Sequence, residues 1–254
     1  MVTPSAKREA VGLLTGACGL PVQRVVATNH RWGFWICDDQ LGNQGYRWNH
    51  KRVDRVYCAL RLNLPRRTRK RVVRSVLHPL AAPSRLNHTW AIDFMTDTLD
   101  DGQRFRTRNV LDEGNREALA IDVGMSLPSG RVIAVLEELG ELHGRGRALR
   151  LGPGPELTSI ALTRGCAQHP IALHYIEPGK PQRNANTERF NRPYRTEVLD
   201  AYIFHSLAEV RALRAEWLVC YNTERLHDSL GRVPPLFFLP RLTTLPKSTY
   251  HRPI

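Results

Sequence analysis

The sequence predicts an α/β protein: a mixed five-stranded sheet flanked by helices, preceded by a small basic helical region. Three observations carry this reading. Between Thr89 and Val123, three segments place apolar residues at period two and are separated by turn residues, which makes an antiparallel group. Two further short apolar segments, Ala148 to Leu151 and Ile171 to Ile176, each follow a stretch of helical spacing, as strands reached through crossover helices do. Ahead of these, residues 1–80 carry short helical patterns among many Lys and Arg.

A chain of 254 residues accommodates one core of about 100–150 residues with smaller attachments. Lys and Arg number 37 against 24 Asp and Glu, a net charge of +13, and such a surplus points to a polyanionic partner, nucleic acid first. Five cysteines, an odd number without a C-x-x-C pair, argue for free thiols in a reducing compartment rather than a disulfide framework. Lys7-Arg8 before an apolar run imitates a signal peptide, but Glu9 and the glycines at 12, 16 and 19 interrupt it. No stretch reaches the ~20 apolar residues of a membrane span, and with the free thiols a cytoplasmic location is expected.

Taken in order, Thr3-Pro4 starts a helix through Ala10, Val11 and Leu14, which Gly16 and Gly19 should stop; a second short helix begins near Pro21 with Val22, Val25 and Val26. Residues 1–27 thus read as a helix-turn-helix remnant. Residues 28–80 form a small basic region and linker, in which Asn49 caps a helix with Val53, Val56, Tyr57 and Leu60 on one side. Its aromatics, Trp32, Phe34, Trp35, Tyr46 and Trp48, read as core rather than as base-stacking platforms. Arg66, Arg67, Arg69, Lys70 and Arg71 form a single-sign run suited to phosphate contacts.

The main domain, 81–240, opens with a strand over Thr89–Asp97. Trp90, Ile92 and Phe94 share one face, and Ala91, Asp93, Met95 and Asp97 the other. An acid at Asp93, in mid-strand, is costly to bury without a cation or partner. Asp100-Asp101-Gly102-Gln103 turns the chain into strands over Phe105–Leu111 and Glu117–Val123. A crossover helix from Pro128 to His143, the strand Ala148–Leu151 and the strand Ile171–Ile176 complete a three-then-two order. In the next helix Glu188, Asn191, Arg192 and Arg195 lie on one side, a polar face open to DNA, opposite Phe190, Tyr194 and Val198. Pro193 lies inside it and costs about 3 kcal/mol or a kink. A covering helix follows over about Leu207–Tyr221, and 241–254 form a tail.

Several motifs occur in a telling order: Trp-x-x-Asp at 90–93, Asn109-Val110-Leu111-Asp112, Gly154-Pro155-Glu156, Pro178-Gly179-Lys180-Pro181, Glu188-Arg189-Phe190-Asn191, Tyr221-Asn222-x-Glu224-Arg225-x-His227 and Pro234-Pro235. In this the chain resembles the insertion-sequence transposases of the retroviral-integrase superfamily, over about residues 31–240. The resemblance implies a ribonuclease-H-like core, with two aspartates and a glutamate holding Mg2+ or Mn2+ for DNA cleavage and strand transfer. Asp93 matches the first acid and Glu188 the third; Gly152 stands where the second aspartate belongs, with thirty-five residues between Gly152 and Glu188 as in the family. Catalytic and metal-binding roles therefore fall on Asp93 and Glu188, with activity impaired by Gly152. Rescue by Glu156, Asp97 or Asp112 is not expected. DNA contacts fall on Arg66, Arg67, Arg69, Lys70, Arg71, Lys180, Arg192 and Arg195. The partners implied are transposon ends and target DNA, a homo-oligomer formed on DNA, and an upstream-frame transposase subunit. The other reading is a non-catalytic nucleic-acid-binding relic or regulator of transposition.

Overall fold

A computed structural model describes residues 17–64, 85–152, 154, 156–167, 171–176 and 185–240. The expected helix after Thr3, the basic run Arg66–Arg71, Lys180 with its Pro/Gly loop, and the tail 241–254 lie outside the described residues. The chain divides into two compact units, Met1–Ser75 and Val76–Ile254.

In the first unit, helix α1 runs continuously over 17–28. It passes Gly19 and Pro21, where the sequence suggested a stop and a new start. Burial of Cys18, Val22 and Val25 along one side outweighs the poor helix propensity of the two residues. Helix α2 (Phe34–Asn43) and helix α3 (His50–Ala59) follow. Asn49 caps α3 as expected, its side chain accepting from the Lys51 N–H at 2.9 Å, and Val53, Val56 and Tyr57 are buried. Trp32 joins that core, but Trp35 is 55% exposed and Tyr46 37% exposed, against the expectation for these aromatics. Adjacent helical residues point about 100° apart, so Trp35 turns outward beside the half-buried Phe34.

The second unit is built on strands β1 (Thr89–Thr98), β2 (Arg104–Asp112), β3 (Ala118–Gly124), β4 (Ala148–Leu151) and β5 (Ala172–Tyr175). Their order across the sheet is β3-β2-β1-β4-β5. β1, β2 and β3 are antiparallel, whereas β4 and β5 run parallel to β1. This is the mixed five-stranded, ribonuclease-H-like sheet that the sequence predicts. Gly102, at φ +84°, closes the β1–β2 turn in a conformation that suits glycine. Its N–H bonds the Leu99 carbonyl, and the Leu99 N–H bonds that of Gln103.

Each sheet face carries its own core. Trp90, Ile92, Val110, Leu149 and Leu151 pack with helices α4 (Ser129–His143) and α5 (Ile160–Ala167). Met95, Phe105, Leu111, Ile121 and Val123 pack with Phe190 and Tyr194 of helix α6 (Ala185–Tyr194) and with Val210 and Tyr221 of helix α7 (Leu207–Thr223). Pro193 does not end α6. A π-helical turn over Arg195–Leu199 follows it, and the Asp200 N–H reaches the Arg195 carbonyl at 2.7 Å. The proline cannot donate to the carbonyl four residues earlier, and the π-helical turn begins two residues beyond it.

Candidate active site

The site lies on the α6 face of the sheet, where β1 and β4 run side by side. Parallel pairing sets Ala91 beside Arg150 and Ile92 beside Leu151, so Gly152 follows next to Asp93. A Cβ on Gly152 would stand 3.5 Å from Asp93 Oδ1, in ordinary van der Waals contact. The position that the motif assigns to a second acid is thus adjacent to the first, with room for a side chain.

Asp93 is held by hydrogen bonds. Its Oδ1 accepts from the Phe94 N–H at 3.0 Å and its Oδ2 from Asn191 Nδ2 at 2.8 Å. Asn191 Oδ1 in turn accepts from Asn109 Nδ2 at 2.7 Å, which fixes which end of the Asn191 amide faces the carboxylate. Asn109 is fully buried and lies opposite Asp93 in the β1–β2 register. Asn191 sits one turn after Glu188, which is exposed in the first turn of α6. Asn191 and Arg195, which the helical count set on a polar face open to DNA, are half-buried and bonded to the sheet. Asn191 turns to Asp93, and Arg195 donates to Asp97 Oδ2 at 2.9 Å and to the Thr96 carbonyl at 2.8 Å. Arg192 is exposed.

A buried polar cluster ties the start of α6 to the sheet. Glu113, 1% exposed just beyond β2, accepts at Oε1 from Arg150 Nη1 at 2.8 Å and from Asn186 Nδ2 at 3.0 Å. Arg150 stands beside Ala91 in the β1–β4 register. Burial lowers the pKa of Arg116, and Glu113 opposes that shift. Glu188 thus sits between two anchored positions, Asn186 on Glu113 and Asn191 on Asp93.

The motif around Tyr221 is structural. Asn222 accepts from the Ala118 N–H and donates to the Ala118 carbonyl, both at 2.9 Å, so α7 is pinned to the backbone of β3. Arg225 pairs with Glu197, which also accepts from Trp217 Nε1 at 2.8 Å. Burial pushes His227 down to about 4, and nearby Arg225 and Arg116 add to the shift. Sequence reasoning missed Asn109, Glu113 and Asn186. Asn109 had a legible signal: Asp93 and Asn109 each lie eight residues from Asp101 at the turn, so a regular hairpin sets them opposite one another.

The donor set does not fit a pair of divalent ions. Such ions require several carboxylate oxygens, and position 152 supplies none. Among the described residues no group of three His, Cys, Asp or Glu side chains is arranged to hold a metal. Glu156 pairs with Arg106, whose guanidinium stacks on Phe94 at 4.4 Å. That is the opposite sheet face from Asp93, and the Arg106 hydrogen bond lowers the Glu156 pKa despite burial. Asp97 is bound by Arg195. Asp112 accepts from the Asn87 and Gly114 N–H groups at 2.8 and 2.9 Å, three strand positions away from Asn109. No described helix is long and apolar enough to cross a membrane.

The integrase core domain family model matches residues 169–235. The chain is 34% identical over 224 residues to the insertion element IS476 uncharacterized 39.2 kDa protein of Xanthomonas euvesicatoria, covering 88% of this chain and 65% of that protein. It is also 34% identical over 208 residues to the insertion element IS407 uncharacterized 31.7 kDa protein of Burkholderia multivorans, covering 82% of this chain and 75% of the relative. The chain thus spans about two thirds of the length of the first of these relatives. Among solved structures, the HTLV-2 integrase catalytic core domain in complex with magnesium superimposes with a TM-score of 0.45 at 14% identity, over 60% of this chain and 95% of that one. From the extent of its identity to the IS407 protein and the match of its core, the chain belongs to the insertion-sequence transposases of the integrase superfamily.

Proposed function

We propose that this chain is a DNA-binding protein of transposition whose core is that of a metal-dependent polynucleotidyl transferase, with strand cleavage and transfer impaired at Gly152. One observation carries this reading: the parallel register sets Gly152 against Asp93, with a Cβ position 3.5 Å from its carboxylate. In the integrase-core family divalent ions neutralise charge at the attacking and leaving oxygens of the phosphodiester. Here Asp93 and Glu188 are the residues that would face such an ion, and position 152, beside Asp93, offers hydrogen in place of an oxygen donor. The net charge of +13 supports binding to transposon ends and target DNA. In this reading Arg192, exposed on α6, contacts DNA together with Arg66, Arg67, Arg69, Lys70, Arg71 and Lys180. Arg195 holds the π-helical turn against β1 through Asp97 and Thr96, and its exposed part leaves guanidinium donors for DNA in the same reading.

A strand-transfer assay with Mg2+ or Mn2+ on DNA carrying terminal repeats tests the proposal. The native chain should be weak, Gly152→Asp should recover activity, and adding Asp93→Ala to that variant should remove it. Robust turnover by the native chain, abolished by Asp93→Ala, sinks the impairment. The second reading, a non-catalytic regulator acting by occupying ends or by mixed assembly with active copies, is favoured by the same missing acid. It predicts salt-dependent binding to terminal repeats that is indifferent to chelators.

A further inference from the structure

The start of α3 combines exposed rings with exposed cations. Trp35 is 55% exposed, and its ring lies 5.8 Å from that of His50, the first residue of the helix. Tyr46, 37% exposed in the loop before α3, is stacked on the half-buried Trp48 at 4.5 Å and 21°. Between residues 44 and 55, Arg47, Lys51, Arg52 and Arg55 are exposed against a single exposed acid, Asp54. Apolar burial accounts for Trp32 and Tyr57 in this unit, but not for Trp35 or Tyr46.

We propose that this surface binds DNA through unpaired bases, with the rings of Tyr46 and Trp35 as stacking platforms and the neighbouring cations on the phosphates. Phosphate contacts alone need only the cations. A ring face is of use to a nucleic acid only where a base is out of the duplex stack, because paired bases have their faces covered; stacking on such a base is tolerant of sequence. Trp48 holds the Tyr46 ring nearly parallel to its own, so the platform is ordered before the base arrives and little side-chain freedom is lost on binding. The charge balance of the stretch complements the strand that would follow such a base. The ligand class is therefore single-stranded or locally opened DNA, as at a frayed or nicked end. This inference rests on the DNA-binding reading above and specifies which form of DNA the first unit prefers.

The test uses the full chain with EDTA present, and measures anisotropy of a labelled mixed-sequence single strand of about 20 nucleotides against the same strand in duplex, over a range of salt. Tyr46→Ala should bind the single strand about tenfold more weakly, the loss expected for one stacked base, with duplex affinity and the salt slope retained. Trp35→Ala should behave likewise, and Tyr46→Phe, which keeps the ring, should match the native chain. Lys51→Ala with Arg52→Ala should weaken both forms and reduce the salt slope by about two. Circular-dichroism melting of each variant reads folding separately from binding: the Lys51 and Arg52 changes are at exposed residues and should leave the melt unchanged, and each ring-deleting variant is compared below its own melting temperature. The inference is overturned if the two ring-deleting variants bind the single strand as the native chain does, or lose duplex and single strand equally. Absence of binding to any DNA would overturn the functional reading with it, whereas DNA binding in which the single strand is held no less tightly without either ring would remove this inference alone.

Discussion

Replacing Gly152 by Asp should create a carboxylate pair whose stability depends on a divalent cation. The Cβ of the new residue stands 3.5 Å from Asp93 Oδ1, so its carboxylate oxygens come within roughly 3–6 Å of that atom for any rotamer. At about 5 Å and an effective dielectric of ~20, two like charges repel by about 3 kcal/mol. Asp93 is half-buried, and solvent screening reduces the figure to about 1–2 kcal/mol. In a domain of this size, that lowers Tm by about 3–6 °C in EDTA. A cation binding with a Kd near 1 mM would return about 1.4 kcal/mol when present at ten times that concentration. Differential scanning fluorimetry with EDTA, Mg2+ and Mn2+ reads both effects without any catalytic assay. The native chain should melt at one temperature in all three conditions, whereas the variant should fall in EDTA and recover with metal. A native chain that gains as much from Mn2+ as the variant, or a variant indifferent to both, would refute the argument that position 152 is the missing donor.

Three further outcomes follow from the same geometry. Glu113→Ala leaves Arg150 and Asn186 without their shared acceptor in a dry setting and should cost about 3–5 kcal/mol, read as a fall in the urea midpoint. Asn222→Ala removes two bonds to the β3 backbone and should cost about 2–3 kcal/mol, with hydrogen exchange rising at Ala118. His227 is held neutral by burial, with a folded pKa of about 4 against an ordinary 6.5. The unfolded chain therefore takes up this proton first: stability is full above pH 6.5, falls as pH drops through the window from 6.5 to 4, and loses about 3 kcal/mol from this group by pH 4. His227→Gln should flatten that part of the pH profile of the urea midpoint, and a slope equal to the native one would count against the shift.

Much of the fold was legible because it rests on short-range rules. Period-two burial set Trp90, Ile92 and Phe94 against Ala91, Asp93 and Met95, and both cores form on the faces that this alternation assigns. The turn at Asp100–Gln103 fixed the β1–β2 register, and the thirty-five residues between Gly152 and Glu188 pointed to position 152, which β4 sets beside Asp93. Asn49 capped α3 as a local hydrogen bond requires. Where the reading failed, tertiary packing decided. Gly19 and Pro21 sit within a helix because Cys18, Val22 and Val25 are buried together.

The sequence by itself determined the order of strands and helices, the positive charge, and the absence of an acid at 152, since each depends on residue identity and spacing alone. Only the tertiary structure decided that Asn191 turns to Asp93 and Arg195 to Asp97, that Glu156 belongs to the opposite face with Arg106, and that Glu113 anchors Arg150 and Asn186. The physical reason is common to all of these. A polar residue on a helix or strand has the same periodicity whether water or a buried partner satisfies it, and the partner is supplied by an element distant in sequence.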